Sequence, residues 1–510
     1  MANVDVQRPL VLGRRGFLAA TGALVGWGAL HAVAGEGIAA AAGTPQWRPT
    51  ARFAPARNWM NDPNGLVHFQ DEYHVFFQYN PYGDQWGNMS WGHAVSTDLV
   101  RWQELPVALE PDELGDIFSG SVVVDHDDSS GFFGGQPGLV ALYTSAGDTQ
   151  QQSLAYSSDR GRTWTKHSGN PVIPNPGITD FRDPKVFWHA PTNRWILLLA
   201  AGDRIHIYGS TNLVAWEKLS EFGADRGSHG GVWECPDLFE LPVDGGPTRW
   251  VLIVSINPGG PAGGSVTQYF LGDFDGTTFT SDGAADEVRW VDRGSDFYAP
   301  QSFSDVPDGR RLWLGWMSNW NYASEIPTDP WRGMYTTPRQ LSLTAAGGSI
   351  QLAQQPVDEL AAVRANRRAW SGVVTDGQTP EFAGTALDIV ANFRLGSAES
   401  VGLDVFAGTN HRTRIGYDLA AQELFIDRTQ SGTTQVDSTF PAVHTTPLTV
   451  SDGVLPLRIV ADRSGVEVFA AGGRAVLTDT VFPDDGSDKV HLFATNGQVQ
   501  TDIEVFDLAP

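Results

Sequence analysis

Three acidic residues stand in distinctive local sequence and are candidates for acid–base and nucleophilic chemistry. Asp62 lies in WMNDPNG, Asp183 in FRDPKVF and Glu234 in WECPDLF. Taken singly, Asp-Pro and Asn-Gly are ordinary turn pairs, Arg182 and Asp183 could form a structural ion pair, and Glu234 could be a core carboxylate. Together, in Trp- and Pro-rich surroundings within one half of the chain, they indicate a shared site.

Paired carboxylates with aromatic neighbours suit the cleavage of glycosidic bonds. One carboxylate attacks the anomeric carbon, and a second, protonated group donates to the leaving oxygen. Because Trp233 and Cys235 flank Glu234, we expect apolar surroundings to raise the pKa of Glu234. Asp62, in an Asn-rich turn that can donate hydrogen bonds, is the expected permanent anion. If the anomeric configuration is retained, the two carboxyl groups should lie about 5–5.5 Å apart.

The elements that must bring these acids together are short β-strands. Sixteen of the 18 Trp residues lie between Trp47 and Trp331. In that half, β-branched and aromatic runs are bounded by Asn, Asp, Gly and Pro, as strands are. Examples are EYHVFFQYN (72–80), RWILLLAA (194–201) and RWVLIVSIN (249–257).

A weak internal repeat predicts how these strands are organised. A strand end, a Ser/Thr turn and then an aromatic residue recur in VSTDLVRW (95–102), YSSDRGRTW (156–164), YGSTNLVAW (208–216) and, more loosely, GDFDGTTF (272–279). A unit of 50 residues or more suits a four-stranded propeller blade. We therefore predict a five-bladed β-propeller over residues 46–350, with a large sandwich as the alternative. In a propeller, residues at the starts of the inner strands converge on one mouth.

The remainder of the chain has a different composition. Residues 371–510 contain cleanly alternating strands, for example IVADRSGVEVFA (459–470) with a hairpin at 462–465, and predict a supporting β-sandwich. Residues 351–370 carry a helix-like spacing of apolar residues and are interpreted as a linker.

The N-terminus has the features of a targeting segment. Arg14 and Arg15 precede a Gly-rich apolar stretch and the small-residue run GIAAAAG. Residues 1–42 resemble a twin-arginine secretion signal, with a membrane anchor as the alternative. We expect cleavage and a secreted, extracellular protein without stable membrane association.

Composition excludes several classes of function. The chain has 510 residues, a formal charge of −25, 41% hydrophobic residues and one Cys. Such acidity opposes binding to nucleic acid or anionic lipid, and one Cys allows no intrachain disulfide. No nucleotide fingerprint or metal-ligand spacing is present, so we expect no metal and no cofactor. The sequence carries no signal for the oligomeric state.

The motifs together resemble glycoside hydrolase family 32, the invertases, inulinases and levanases. Besides the three acidic motifs, the matching strings are FFQYNP (76–81), WGNMSWGHAVSTDLVRW (86–102), FSGS (118–121), DFYAPQSF (296–303) and WMSNWNYASEIPTDPWRG (316–333). The resemblance runs from about residue 59 to the C-terminus. It implies a five-bladed propeller plus a β-sandwich and retaining hydrolysis of β-fructofuranosides.

The resemblance also implies roles for individual residues. Asp62 would be the nucleophile, Glu234 the general acid/base, and Asp183 the residue that binds fructosyl hydroxyls and stabilises the transition state. The pocket for the terminal fructose would be formed by Asn61, Gln78, Trp86, Phe118, Ser119, Arg182 and Trp320. Trp86 and Phe118 could instead be core residues.

The expected substrate is a fructan, with levan preferred over inulin, because the 316–333 string is most similar to microbial levanases and exo-fructanases. Two alternatives use the same three acids. One is a levan fructotransferase that forms a cyclic difructose anhydride, and the other is a levanbiose-releasing levanase. A non-catalytic fructan-binding protein is the alternative from another class, and it has no need of both Asp62 and Glu234.

Overall fold

A computed structural model describes residues 45–375 and 380–510. The predicted signal, residues 1–42, lies outside the described residues. Over the described ranges the protein is built almost entirely of antiparallel β-sheet, which confirms the predicted all-β class.

Five sheets follow one another along the N-terminal part of the chain. The strands of the first sheet are β1 (Asn58–Phe69), β2 (Glu72–Asn80), β3 (Ser90–Ser96) and β4 (Gln103–Leu109). Those of the second are β5 (Asp116–Asp125), β6 (Gly138–Ala146), β7 (Gln150–Ser157) and β8 (Thr165–Lys166). Those of the third are β9 (Phe181–His189), β10 (Arg194–Ala201), β11 (Ile205–Ser210) and β12 (Glu217–Phe222).

The fourth sheet contains β13 (Val232–Pro242), β14 (Thr248–Asn257), β15 (Val266–Phe274), β16 (Phe279–Ser281) and β17 (Arg289–Trp290). The strands that complete this region are β18 (Tyr298–Ser302), β19 (Arg311–Trp316), β20 (Trp331–Arg332), β21 (Arg339–Ala346) and β22 (Ser349–Pro356). Of these, β20 joins the first sheet by pairing parallel with β1, and the others form the fifth sheet.

The first strands of the five sheets contact one another in a closed ring. β1 contacts β5, β5 contacts β9, β9 contacts β13, β13 contacts β18, and β18 contacts β1. This is the arrangement of a β-propeller, whose inner strands surround a central channel. Apolar side chains fill the layers between neighbouring sheets, as in the cluster that joins Ile196 and Leu198 of β10 to Leu252 and Val254 of β14.

The repeated Ser/Thr turn has one structural role in three sheets. It connects the third strand to the fourth, and in each copy a Ser hydroxyl bonds an Asp or Asn side chain two residues later, as at Ser96, Ser157 and Ser210. The following Trp donates its indole N–H to the carbonyl three residues before it: Trp102 to Leu99, Trp164 to Gly161 and Trp216 to Leu213. Those carbonyl residues all have positive φ.

Residues after the propeller form two six-stranded sheets packed face to face around a large apolar core. The strands are β23 (Arg364–Thr375), β24 (Glu381–Ala383), β25 (Ala386–Arg394), β26 (Ser400–Ala407), β27 (Thr413–Asp418), β28 (Glu423–Asp427), β29 (Val443–Pro447), β30 (Val454–Asp462), β31 (Gly465–Ala470), β32 (Ala475–Thr480), β33 (Lys489–Thr495) and β34 (Gln498–Leu508). The predicted hairpin joins β30 to β31.

The predicted linker at 351–370 differs from the structure. Its beginning belongs to β22, the last propeller strand, and its end to β23, the first sandwich strand. Only a 3₁₀ helix, Asp358–Val363, lies between them; the others are Ala190–Thr192 and Ala471–Gly473. The helix-like spacing of apolar residues corresponds to this one short helix, in which Leu360 and Val363 are buried.

Charged residues buried at the junction join the propeller to the sandwich. Glu467 of β31 accepts hydrogen bonds from Arg52 (2.9 Å) and Arg339 (2.8 Å) of the propeller region. Arg428 of the sandwich donates to Asp296 (2.7 Å) and to the Tyr322 hydroxyl (3.0 Å). Buried ion pairs of this kind depend on every partner being present.

Candidate active site

The inner strands share one irregularity at their starts. In β1, β5, β9, β13 and β18, two residues oppose a single residue of the second strand. These bulges fall at 61–62, 118–119, 183–184, 235–236 and 299–300. A bulge bends a strand and redirects its side chains. Five bulges at the same level therefore direct residues distant in sequence toward one end of the channel.

Backbone conformation at three bulges reinforces this effect. Asp183, Cys235 and Ala299 have φ values of 67°, 46° and 48°, which non-glycine residues seldom adopt. Each is followed by Pro, whose missing N–H suits a position that has left the ladder. Strained backbone of this kind clusters at functional sites.

A cavity of about 400 Å³ opens at this end of the channel. Its lining contains the ten predicted site residues: Asn61, Asp62, Gln78, Trp86, Phe118, Ser119, Arg182, Asp183, Glu234 and Trp320. The structure therefore brings together residues that span about half of the chain. The three acids come from the first strands of the first, third and fourth sheets.

Asp62 is buried, and its two carboxylate oxygens have different surroundings. Oδ2 accepts a hydrogen bond from the Ser119 hydroxyl (3.1 Å) and a longer one from the Cys235 thiol (3.5 Å). Oδ1 is buried and has no hydrogen-bond partner within residues 45–375 and 380–510. One oxygen is thus fixed while the other is free to react.

Asp183 and Asp62 both contact the side chain of Cys235. The Cys235 thiol is 3.5 Å from Oδ2 of Asp183 and 3.5 Å from Oδ2 of Asp62. The backbone N–H of Cys235 also donates to Oδ2 of Asp183 (3.0 Å). Burial and the surrounding carboxylates raise the pKa of this thiol well above its ordinary value, so it remains a neutral donor between two acids.

Glu234 occupies a charged environment, which corrects the prediction of apolar surroundings. Its Oε1 accepts a hydrogen bond from Arg182 Nη2 (2.9 Å), and its Oε2 accepts one from the Tyr298 hydroxyl. The flanking side chains point elsewhere, since Trp233 packs in the layer between sheets and Cys235 faces the aspartates. Trp233 and Cys235 do not surround the Glu234 carboxylate, because side chains along a strand alternate between its faces and a bulge follows Glu234.

Asp62 is not the unperturbed anion that its Asn-rich turn predicts. Burial, followed by the charges of Asp183 and Glu234, raises the pKa of Asp62 to about 7. Burial also raises the pKa of Asp183 to about 6, with Arg182 opposing the shift and Glu234 adding to it. Both shifts are typical of like charges held close together away from water.

Aromatic side chains form the rim and one wall. Trp86 is 48% exposed and meets Phe118 edge to face at 5.9 Å. Trp320 stacks on Trp59 at 5.8 Å. The backbone N–H of Trp320 donates to Ser265 (2.9 Å), and the Arg428 contacts described above hold Tyr322 in the same segment. The wall is therefore fixed by both the propeller and the sandwich.

Sequence reasoning did not assign four residues of the site. Gln150 and Asp180 line the cavity and both bond Arg182. Tyr298 bonds Glu234, and the Cys235 thiol bonds the aspartates. Asp180 precedes the first residue of β9, so strand alternation gave no signal for it. Tyr298 had a sequence signal in DFYAPQSF, because it lies two residues before a Pro, as Arg182 and Glu234 do in their motifs.

Two family models match the chain. The N-terminal domain model of glycosyl hydrolases family 32 covers residues 52–356, and the C-terminal model of the same family covers residues 358–507. The chain belongs to glycoside hydrolase family 32. The predicted family and glycosidase class are thereby confirmed.

Relatives in this family include characterised enzymes. A levanase from Bacillus subtilis is 52% identical over 89% of this chain and 69% of its own length. An extracellular exo-inulinase from Aspergillus awamori is 42% identical over 89% of this chain and 93% of its own. A crystal structure of exo-inulinase from Aspergillus awamori superposes on this protein with a TM-score of 0.87. The sequences are 39% identical, and the superposition covers 92% of this chain and 99% of the exo-inulinase chain.

This similarity also confirms the predicted fold, a propeller followed by a sandwich, because this protein and the exo-inulinase share it. Among the described residues, no helix is long and apolar enough to span a bilayer.

Proposed function

We propose that this protein is a retaining exo-hydrolase that releases fructose from the ends of β-fructofuranosidic chains, with levan as the preferred polymer. The observation that carries the proposal is the arrangement of Asp62, Asp183 and Glu234 around one small cavity, with one oxygen of Asp62 free. The levanase and exo-inulinase relatives support the substrate class.

In the first step, Asp62 Oδ1 attacks the anomeric carbon of the terminal fructosyl unit. The bond from that carbon to the bridging oxygen breaks, and Glu234 supplies a proton to the departing oxygen. The hydrogen bonds from Ser119 and Cys235 hold Oδ2 of Asp62, so the carboxylate presents Oδ1 to the sugar. The product is a covalent fructosyl ester of Asp62 and a shortened chain.

In the second step, Glu234 accepts a proton from water, whose oxygen attacks the same anomeric carbon and releases Asp62. Arg182 and Tyr298 keep the Glu234 carboxyl in place for both proton transfers. Asp183, fixed by the Cys235 N–H, accepts hydrogen bonds from fructosyl hydroxyls, and these bonds strengthen as the ring flattens in the transition state.

Attack at chain ends follows from the depth of the acids. Asp62 and Asp183 are only 9% and 5% exposed although both line the cavity. A terminal unit can enter such a cavity, whereas an internal unit would require both flanking chain segments to pass its rim. Trp86 and Trp320 line the same cavity, and we expect them to contact the second unit.

Secretion through the twin-arginine route forms part of the proposal. It is supported by Arg14, Arg15 and the apolar stretch after them, and by relatives that are extracellular enzymes. Export of the folded protein suits a chain with one buried Cys and no disulfide to form.

Time-resolved product analysis on levan, inulin and sucrose tests the proposal. Free fructose as the first product from levan, with faster release than from inulin, is the expected result. Levanbiose as the first product would identify a different hydrolase, and a cyclic difructose anhydride would identify an intramolecular fructosyl transfer. Polymer binding without any product would identify a binding protein.

A further inference from the structure

A second cavity of about 360 Å³ lies at the opposite ends of the inner strands. It is lined by the last residues of β5 and β9 and by the segment between β18 and β19. Ser119 in the first cavity and Asp125 in the second lie six positions apart along β5, which corresponds to about 20 Å of strand. We call this second cavity the distal cavity.

The two cavities are separated within the channel. Lys185 of β9 lies between them, with its ammonium 3.0 Å from Asp237 and donating to the Ser302 carbonyl (2.7 Å). Both charged side chains are buried. The distal cavity is therefore a site in its own right and not an extension of the active-site cavity.

One wall of the distal cavity is aromatic and rigid. Trp188 is 41% exposed and contacts Trp195 edge to face at 5.1 Å. Trp195 donates its indole N–H to Ser129 (2.9 Å), and Ser129 in turn bonds the buried carboxylate of Asp125. An exposed indole held in this way resembles Trp86 at the rim of the active site, which is exposed to a similar degree.

The other wall is polar and has unused hydrogen-bonding capacity. Arg311 donates through Nη1 to the Phe303 carbonyl (3.2 Å) and the Ser302 hydroxyl (3.3 Å). Its Nε and Nη2 donate to no residue in the described part of the chain, and no carboxylate there lies within 4.0 Å of it. Asp305 accepts from His126 (2.8 Å), and Asp127 is exposed at the rim.

The charge of the lining limits the kind of ligand. Three aspartates and one arginine line the distal cavity, on a chain of net charge −25, so an anionic ligand is disfavoured. A neutral ring with an apolar C–H face and several hydroxyls matches an exposed indole opposite separate donors and acceptors.

We propose that the distal cavity is a second carbohydrate-binding site, which takes a fructosyl unit from another segment of the polymer. The sugar ring packs on Trp188, and its hydroxyls accept from Arg311 and donate to Asp127 and Asp305. Holding polymer at a second point raises the local concentration of chain ends at the active site. The identity of the sugar rests on the proposed function; the existence of the site does not.

The test compares matched tryptophans at the two cavities, Trp188→Ala and Trp86→Ala. Each is made in the full chain and also combined with Asp62→Asn, so that polymer is not consumed during binding. Native gel electrophoresis through levan, inulin and dextran gives apparent dissociation constants. Initial rates on sucrose report the active site alone. Asp127→Ala, at an exposed position, provides a second variant of the distal cavity.

We expect Trp188→Ala to weaken retardation by levan by about fivefold or more, as loss of an aromatic anchor does, while sucrose turnover is unchanged. Trp86→Ala should reduce sucrose turnover. Asp127→Ala should weaken retardation in the same direction as Trp188→Ala.

Retardation by levan that is the same with and without Trp188 overturns the proposal. So does a thermal shift with inorganic phosphate that depends on Trp188 and is not matched by any fructan. Failure of the proposed function has another signature, namely no fructose release by the unmodified enzyme even where Trp188-dependent retardation is present.

Discussion

Two sets of buried carboxylates in this protein have opposite electrostatic surroundings. At the active site, burial raises the pKa of Asp62 to about 7, and neighbouring acids add to the shift. At the propeller–sandwich junction, Glu467 is fully buried, yet Arg52 and Arg339 hold its pKa below its ordinary value. Burial acts in the same direction on both carboxylates, so the partner charges decide the outcome.

Under the proposed function, the difference separates a group that reacts from one that stabilises the fold. Every oxygen of Glu467 is paired with a buried cation, whereas Oδ1 of Asp62 has no partner in the described residues. An unpaired buried carboxylate destabilises the fold and is retained where its reactivity is needed. Substitutions at the two places should therefore have opposite effects on stability.

The largest expected effect is on catalysis. Asp62→Asn removes the attacking oxygen's charge and Glu234→Gln removes the transferable proton, so each should lower kcat on levan by about 10⁴-fold. Initial rates of fructose release measure this. Asp71→Asn, in the exposed turn between β1 and β2, is the control and should retain full activity. Turnover near the unmodified rate in both variants contradicts the catalytic assignment.

The next effect is the loss of stability at the junction. Glu467→Gln removes the carboxylate that Arg52 and Arg339 share, which leaves Arg339 with Asp292 (3.2 Å) and Arg52 3.9 Å from Asp462. The variant should lower the free energy of unfolding by about 3–5 kcal/mol. Denaturant unfolding followed by tryptophan fluorescence measures it. Glu504→Gln, which removes an exposed ion pair with Arg367, should change stability little. Equal effects of the two variants would mean that the junction is not held by these charges.

The pH profile should reflect the raised pKa values of the site. Asp62 must be ionised to attack, so kcat/KM should fall as the pH drops through the range set by Asp62 and Asp183, whose pKa values are raised to about 7 and about 6. The acid limb is expected nearer pH 6–7 than the ordinary aspartate value of 3.8. An acid limb near pH 4 would show that neither shift is present in the free enzyme.

The smallest expected effect is a gain in stability from Asp62→Asn. Because the folded-state pKa of Asp62 lies above its unfolded value, the stability present at low pH is lost as the pH rises through about 7. The shift corresponds to at most about 4 kcal/mol, and burial of the amide that replaces the carboxylate offsets part of it. Removing the carboxylate should therefore stabilise the protein by about 1–2 kcal/mol at pH 8 and little at pH 4. Unfolding curves at both pH values test the sign, and destabilisation at pH 8 would contradict it.

The sequence predicted what depends on local patterns. The Ser/Thr turn and its Trp mark the same connection in three sheets because their hydrogen bonds are made within a few residues. The three acids were likewise visible in their motifs. The hairpin between β30 and β31 followed from alternation alone.

What could not be predicted depends on contacts across the channel. Cys235 touches Asp62 across 173 positions of sequence, and Tyr298 reaches Glu234 across 64. Bulges decide which way these side chains point, and a bulge is recognised only from the register of the paired strand. The surroundings of Glu234 were mispredicted for this reason, although its place in the cavity was not.

The attachment of Arg428 to Tyr322 has a consequence for biosynthesis. The segment that carries Trp320 is secured by a side chain that emerges from the ribosome more than a hundred residues later. A chain terminated before Arg428 would keep the contacts of Trp320 with Trp59 and Ser265 but would lose the bond that holds Tyr322. Full anchoring of this wall therefore follows synthesis of the sandwich strands that carry Arg428, which links the order of the sugar pocket to a late stage of translation.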